Sequence, residues 1–254
     1  MLVAAVSPAA VQTPILFDHL EIAASDFDVG RAWYAKHFGG KADARPDHIW
    51  FAKTWMGVLM KTATARPSSQ GTIDHIAFSV PNLEEKVKEI EAAGARIVAP
   101  VRNVTGWFKS AIVDDPNGVR IELVDDAESR GFHHVHMRLA DPDADRKWFL
   151  RVLGGDASDL KSASGIRYGE MRLLFDKGDR SGSTGFGLDH LAFRMQKPRL
   201  DALIDTLKAE NAVFLRAPFS YTNGPISGTT TFVEGPGRTR LELLARNPDY
   251  KAPD

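Results

Sequence analysis

The chain has 254 residues, room for two domains of roughly 120 residues each, and 43% of its residues are hydrophobic, enough for two ordinary cores. Acidic and basic residues are interspersed at a formal net charge of −1, which argues against a binder of nucleic acid or another polyanion. There is no cysteine, so disulfides and thiolate zinc sites are excluded and any metal must be held by His, Asp or Glu.

The first ten residues, MLVAAVSPAA, are apolar and small. They read either as a flexible N-terminus or as the tail of a secretory signal peptide without its charged start, and residues 1–13 are set apart on that ground. The first reading implies a cytoplasmic protein, the second a periplasmic or secreted one. No other apolar run approaches the ~20 residues that a membrane span requires.

The first strand is expected at Phe17-Asp-His-Leu-Glu-Ile22, with Leu20 and Ile22 on one face and His19 and Glu21 on the other. A helix containing Trp33-Tyr34 follows, and then short strands at 48–53 and 57–62. A second His-bearing strand is Ile73-Asp-His-Ile-Ala-Phe78. Its helix starts at an Asn82 cap and carries Leu83, Val87 and Ile90 at i, i+4 and i+7 before Gly94. Strands at 109–113 and 119–124 complete that unit. The third unit opens with Phe132-His-His-Val-His-Met137 and a helix begun by Asp141-Pro142. The fourth opens with Leu188-Asp-His-Leu-Ala-Phe193 and places Leu200, Ile204 and Leu207 on its helix.

These similarities form an internal repeat. His19 and His134 are 115 residues apart, and so are His75 and His190. Trp33-Tyr34 and Gly39-Gly40 recur at the same offset as Trp148-Phe149 and Gly154-Gly155, while Arg120-Ile-Glu-Leu123 returns as Arg240-Leu-Glu-Leu243. Four copies of a βαβββ unit result. The expected domains are 14–126 and 132–246, separated by a linker at 125–131 and followed by a tail at 247–254.

In both halves, two histidines and one glutamate occupy strand faces opposite the apolar ones. The same residue types recur in the same strand phase and order. Burying them without partners would be costly. Neutral imidazoles with a carboxylate instead make a metal triad that leaves positions open, and structural His–Glu pairing is the alternative.

These features resemble the vicinal oxygen chelate superfamily, which includes glyoxalase I, extradiol ring-cleaving dioxygenases and bleomycin-resistance proteins. The resemblance spans about residues 15–246. It rests on the Asp-His-hydrophobic strand starts at Asp18, Asp74 and Asp189 and on Asp115-Pro-Asn-Gly-Val-Arg-Ile-Glu122. It implies an α+β fold in which four βαβββ units pair into two tandem cups. It also implies metal ligands His19, His75 and Glu122 in the first cup, and His134, His190 and Glu242 in the second.

Glyoxalase I-like members take a fourth ligand, a Glu, from the stretches matching Val58-Leu-Met60 and Leu173-Leu-Phe175, which offer none here. Three ligands look more like the Fe(II) dioxygenases, so iron(II) is favoured over Mn, Zn, Ni or Co. The Tyr of the extradiol pattern is, however, replaced by Phe232, and its upstream His falls near Asn223.

His136 and Glu21 share the ligand face and are candidate acid–base groups or plain solvent-facing residues. Arg138 and Arg194 share that phase too and could hold a substrate oxygen. Loops expected at 101–110 and 216–230 carry Trp107, Phe108, Phe219 and Tyr221. Trp107 and Tyr221 are candidate substrate contacts in loops able to close over a cup.

The expected function is a metal-dependent enzyme that chelates a small molecule through neighbouring oxygens, dioxygenase-like in its reaction. A lyase or isomerase of the glyoxalase type and a non-catalytic small-molecule binder are the alternatives. The expected partners are a small-molecule substrate and a second copy in a homodimer, with neither nucleic acid nor a membrane span.

Overall fold

A computed structural model describes residues 14–51, 56–224 and 226–247. The N-terminal segment at 1–13, the end of the strand expected at 48–53 and all but the first residue of the 247–254 tail lie outside the described residues.

The first unit consists of β1 (Leu16–Ala24), α1 (Phe27–Phe38), β2 (His48–Trp50) and β3 (Met56–Lys61). The second consists of β4 (Ile73–Ser79), α2 (Leu83–Ala92), β5 (Arg96–Arg102), β6 (Ser110–Asp114) and β7 (Arg120–Val124). The third contains β8 (Gly131–Leu139), α3 (Pro142–Leu153), β9 (Asp156–Ala157), β10 (Ser164–Tyr168) and β11 (Met171–Lys177). The fourth contains β12 (Leu188–Arg194), α4 (Lys197–Ala209), β13 (Phe214–Asn223), β14 (Ile226–Glu234) and β15 (Arg240–Arg246). The second, third and fourth units are full βαβββ copies. In the first, the strand after the helix shrinks to a single bridge between Lys41 and Trp50.

Local chemistry accounts for the helix ends. Asp26 accepts from the backbone N–H groups of Asp28 and Val29 at the start of α1, and Gly39 ends that helix at φ 69°. Asp141 accepts from Ala144 N–H, with Pro142 in the first turn of α3. Asn82 stands at the cap of α2 but makes no side-chain cap bond, because its backbone is itself left-handed at φ 50°. The apolar spacing read for α2 and α4 is the buried stripe of each: Leu83, Val87 and Ile90, then Leu200, Ile204 and Leu207.

The four units form two sheets, which bears out the α+β, two-cup expectation. Which units share a sheet differs from the sequence reading. The seven-stranded sheet runs β13-β14-β15-β12-β1-β3-β2 and joins the first unit to the fourth. The eight-stranded sheet runs β5-β6-β7-β4-β8-β11-β10-β9 and joins the second to the third. Neither half, 14–126 or 132–246, therefore closes a cup alone. The linker supplies a reason. From β7 to β8 the chain has only to cross β4, about 10 Å at the spacing of neighbouring strands, which six residues span easily. The antiparallel seams are β1 against β12 and β4 against β8.

The two units of one half still meet in the core. Phe38 of α1 stacks on Phe78 of β4 at 4.1 Å, and Tyr168 of β10 packs on Phe193 of β12 at 5.0 Å. One continuous hydrophobic core thus sits under the helices of all four units. Ala23 N–H donates to Gly187 O at the end of the β1–β12 seam, and Thr72 N–H, just before β4, donates to Gly182 O in the loop before β12. The loop expected at 216–230 is a β-hairpin, β13 against β14, because the alternation through Thr229, Thr230 and Thr231 pairs with β13 on one side and β15 on the other.

Candidate metal centres

Strand register brings the expected ligands together, in new groups. On the first cup, Ala192 of β12 is paired with His19 of β1 on one side and with Glu242 of β15 on the other. His190 is two residues along on the same face. On the second cup, Ala77 of β4 is flanked by His134 of β8 and Glu122 of β7, with His75 two residues along. The centres are therefore His19–His190–Glu242 and His75–His134–Glu122. The sets expected by half, His19–His75–Glu122 and His134–His190–Glu242, are not brought together, because each cup is built from both halves. The alanine at each seam escaped the sequence reading. Its signal was present: Asp-His-hydrophobic-Ala-Phe occurs in both inner strands.

In the first centre the Nε2 atoms of His19 and His190 lie 3.1 and 3.2 Å from the same Oε2 of Glu242. Thr230 Oγ1 donates to the other oxygen, Oε1, at 2.7 Å. Asp18 Oδ1 holds His19 Nδ1 at 2.9 Å, and His190 Nδ1 lies 2.7 Å from Glu21 Oε2 and 3.1 Å from Asp189 Oδ1. Carboxylates behind the rings direct Nε2 into the centre, the usual arrangement around a ligating histidine. Burial disfavours the charged ring of His19, but Asp18 and Glu242 outweigh it and push its pKa up to about 9. His190 is raised as well, against burial, by Glu21, Asp189 and Glu242.

The second centre adds a residue. His136 pairs directly with His75 across the β4–β8 seam, with ring centroids 4.7 Å apart. Glu122 Oε2 lies 3.6 Å from His75 Nε2 and 3.5 Å from His134 Nε2. Trp107 Nε1 donates to Glu122 Oε1 at 2.8 Å. The Nε2 atoms of His75 and His134 and both ring nitrogens of His136 are buried without a hydrogen-bond partner. His136 Nε2 is 3.2 Å from Asp176 Oδ2 but lacks hydrogen-bond geometry to it. Burial, reinforced by His136 and His75, holds His134 well below the usual histidine range, and burial also lowers His136. Buried polar nitrogens left without a partner cost ~1–3 kcal/mol each unless something binds them. A divalent cation fits both donor sets.

The remaining expected site residues divide between the two cups. Glu21, Tyr221, Phe219 and Phe232 line a cavity of about 370 Å³ at the first centre, with His48, Arg216, Arg240 and Arg246. Val58 lines it too, at the position that offers no fourth ligand. Arg194 and Arg138 are placed differently: they approach Asp18 and Asp74 behind the histidines, at 3.5 and 3.4 Å. Trp107 covers the second centre rather than the cavity. His48, Asp47 and Arg216 were missed by the sequence reading, since they come from a short edge strand, its preceding loop and a hairpin with no repeat partner to mark them.

Residues 16–123 match the family model described as Glyoxalase/Bleomycin resistance protein/Dioxygenase superfamily. That match spans the first two βαβββ units of the chain. No curated protein matches the sequence. Among solved structures, glyoxalase I from Zea mays is similar at 17% identity and a TM-score of 0.70, covering 91% of this chain and 92% of that one. A variant of the same maize enzyme aligns at 18% identity and 0.69, covering 91% and 94%. A candidate dioxygenase from Bacillus subtilis aligns at 14% and 0.62, covering 91% and 85%. At these identities the likeness shows the fold over nearly the whole chain, and the activities named are those of the relatives. Among the described residues, no helix is long and apolar enough to cross a membrane.

Proposed function

We propose that the protein is a divalent-metal-dependent enzyme whose first cup binds a small substrate through two neighbouring oxygens, with a dioxygenase-like reaction. One observation carries this reading: His19, His190 and Glu242 converge at the wall of a cavity of about 370 Å³, with Val58 where a fourth donor would stand. Two histidines and one carboxylate suit Fe(II), and also accommodate Mn, Co, Ni or Zn. The cation would supply Lewis-acid polarisation of the substrate oxygens and, as iron(II), redox chemistry with dioxygen.

The chain's own residues do the rest. Arg216 and Arg240 place guanidinium groups for an anionic substrate on a wall that also carries Asp18, Glu21 and Asp47, and Arg240 is itself held by Asp189 at 2.7 Å. Phe219, Phe232 and Tyr221 enclose an apolar or aromatic body. Burial keeps the Tyr221 phenol raised, so it stays a proton donor at neutral pH. His48 and Tyr221 thus stand at the cavity although the extradiol positions are occupied by Phe232 and Asn223. Glu21 favours the second reading, a lyase or isomerase, because it lines the same cavity while holding His190.

Anaerobic loading with Fe(II), followed by oxygen uptake with catechols and 2-oxo acids, tests the choice. Oxygen consumption that disappears in His190→Ala is expected. Turnover of 2-oxoaldehyde–thiol adducts without oxygen uptake would favour the isomerase, and a protein that binds no divalent metal would overturn both.

A further inference from the structure

The two cups differ in what surrounds their ligands. In the first, the position two residues beyond His19 is Glu21, which reaches behind the centre to His190 Nδ1. In the second, the equivalent position is His136, whose ring lies 4.7 Å from that of His75 and 5.4 Å from that of His134. One nitrogen of each of these three residues lies within 4.8 Å of those of the other two. Their outer partners turn the rings inward: Asp74 takes His75 Nδ1 at 2.7 Å, and His133 meets His134 Nδ1 at 2.8 Å while Asp126 approaches His133 Nε2 at 3.2 Å. Over them lies Trp107, bonded to Glu122 and in edge contact with His134 at 5.6 Å. His134 is completely buried, and His75, His136 and Glu122 are at most 6% exposed.

We infer that the second cup is a closed, four-donor metal centre, in which His136 joins His75, His134 and Glu122 to hold a Zn²⁺-like cation for stability. A tetrahedral cation held by four protein donors under a covering side chain has no open position for substrate, as in structural zinc sites, whereas three donors beside a cavity suit the first cup. Trp107 acts as the plug. Its indole fixes the glutamate and blocks the approach along which a chelator or substrate would come. This inference rests on the reading that the chain binds divalent metal, and it assigns the second equivalent a separate role.

Loading the full chain with Co²⁺, then treating it with a chelator while following metal content, visible absorption and thermal unfolding, tests it. A four-coordinate Co²⁺ absorbs far more strongly than a six-coordinate one. The wild type is expected to keep one equivalent with strong absorption and to melt higher with it than without. In His136→Asn that equivalent should be lost, its affinity falling by more than the ~10–100-fold that an outer-shell change costs. His190→Ala should retain it and lose the other. Trp107→Phe should keep the absorption but release the metal faster. A His136→Asn protein that keeps the resistant equivalent overturns the inference, as does a wild type whose two equivalents strip at one rate. Binding of a single equivalent lost in His190→Ala also overturns it while leaving the functional reading intact. Binding of none overturns both.

Discussion

Asp18, Asp74 and Asp189 each stand one residue before a candidate ligand histidine and accept from its Nδ1. Each also answers to an arginine: Arg246 reaches Asp18 at 2.7 Å, Arg138 reaches Asp74 at 3.4 Å and Arg240 reaches Asp189 at 2.7 Å. The pair of residues Asp-His is therefore one functional piece, with the acid setting tautomer and direction. The third unit departs from it, since His133 fills the acid's place and passes the role to Asp126. A fourth buried acid has another part. Asp115 accepts from Val119 N–H, from Asn117 N–H and from the Tyr34 hydroxyl, yet burial outweighs these bonds and pushes its pKa up to about 6. A group raised on folding favours the folded state below its unfolded pKa, near 3.8, and that contribution is lost as pH rises through about 6. Asp115→Asn should therefore gain stability relative to the wild type between pH 4 and 7, with little difference at pH 4. Urea unfolding of both proteins across that range checks it.

At the scale of elements, the centres depend on strand register. Ala192 and Ala77 are fully buried at the seams, each between a histidine of one neighbouring strand and a glutamate of the other. A methyl group there leaves space for the side chains to converge. Val suits a strand equally well, so Ala192→Val should fold with a penalty of about 1–3 kcal/mol for overpacking. It should nevertheless weaken metal binding in the first cup and leave the second unchanged. Metal titration of the variant beside His190→Ala checks this. The hairpin of β13 and β14 matters in the same way. It carries Phe219, Tyr221 and Thr230 to the first centre, and its tip is tied back to the first unit by Arg45, which donates to Asn223 Oδ1 at 2.5 Å. In the second cup the equivalent hairpin, β5 against β6, is shorter, and Trp107 lies in the stretch that joins its strands.

For the whole molecule, exchange of units between halves makes each centre a joint product. His19 belongs to the first half, with His190 and Glu242 in the second. His75 and Glu122 belong to the first half, with His134 and His136 in the second. Residues 14–126 alone would expose the β1 and β4 edges that the second half covers, and such edges associate. The isolated halves should therefore neither remain folded monomers nor bind metal tightly. Mixed, they should form a 1:1 complex that regains both equivalents. Size exclusion with metal analysis tests this, and a monomeric, metal-binding 14–126 fragment would contradict it. The sequence by itself determined the repeating unit, its strand and helix phases, the superfamily resemblance and the identity of six candidate ligands, because alternation and a 115-residue offset are local or periodic properties. Only the tertiary structure decided which ligands meet, that His136 faces His75, that Arg138 and Arg194 serve aspartates, and that Trp107 and the cavity belong to different cups. The physical reason is that four near-identical strand edges can pair in more than one way. The choice among them lies in linker reach and core packing, which periodicity does not encode.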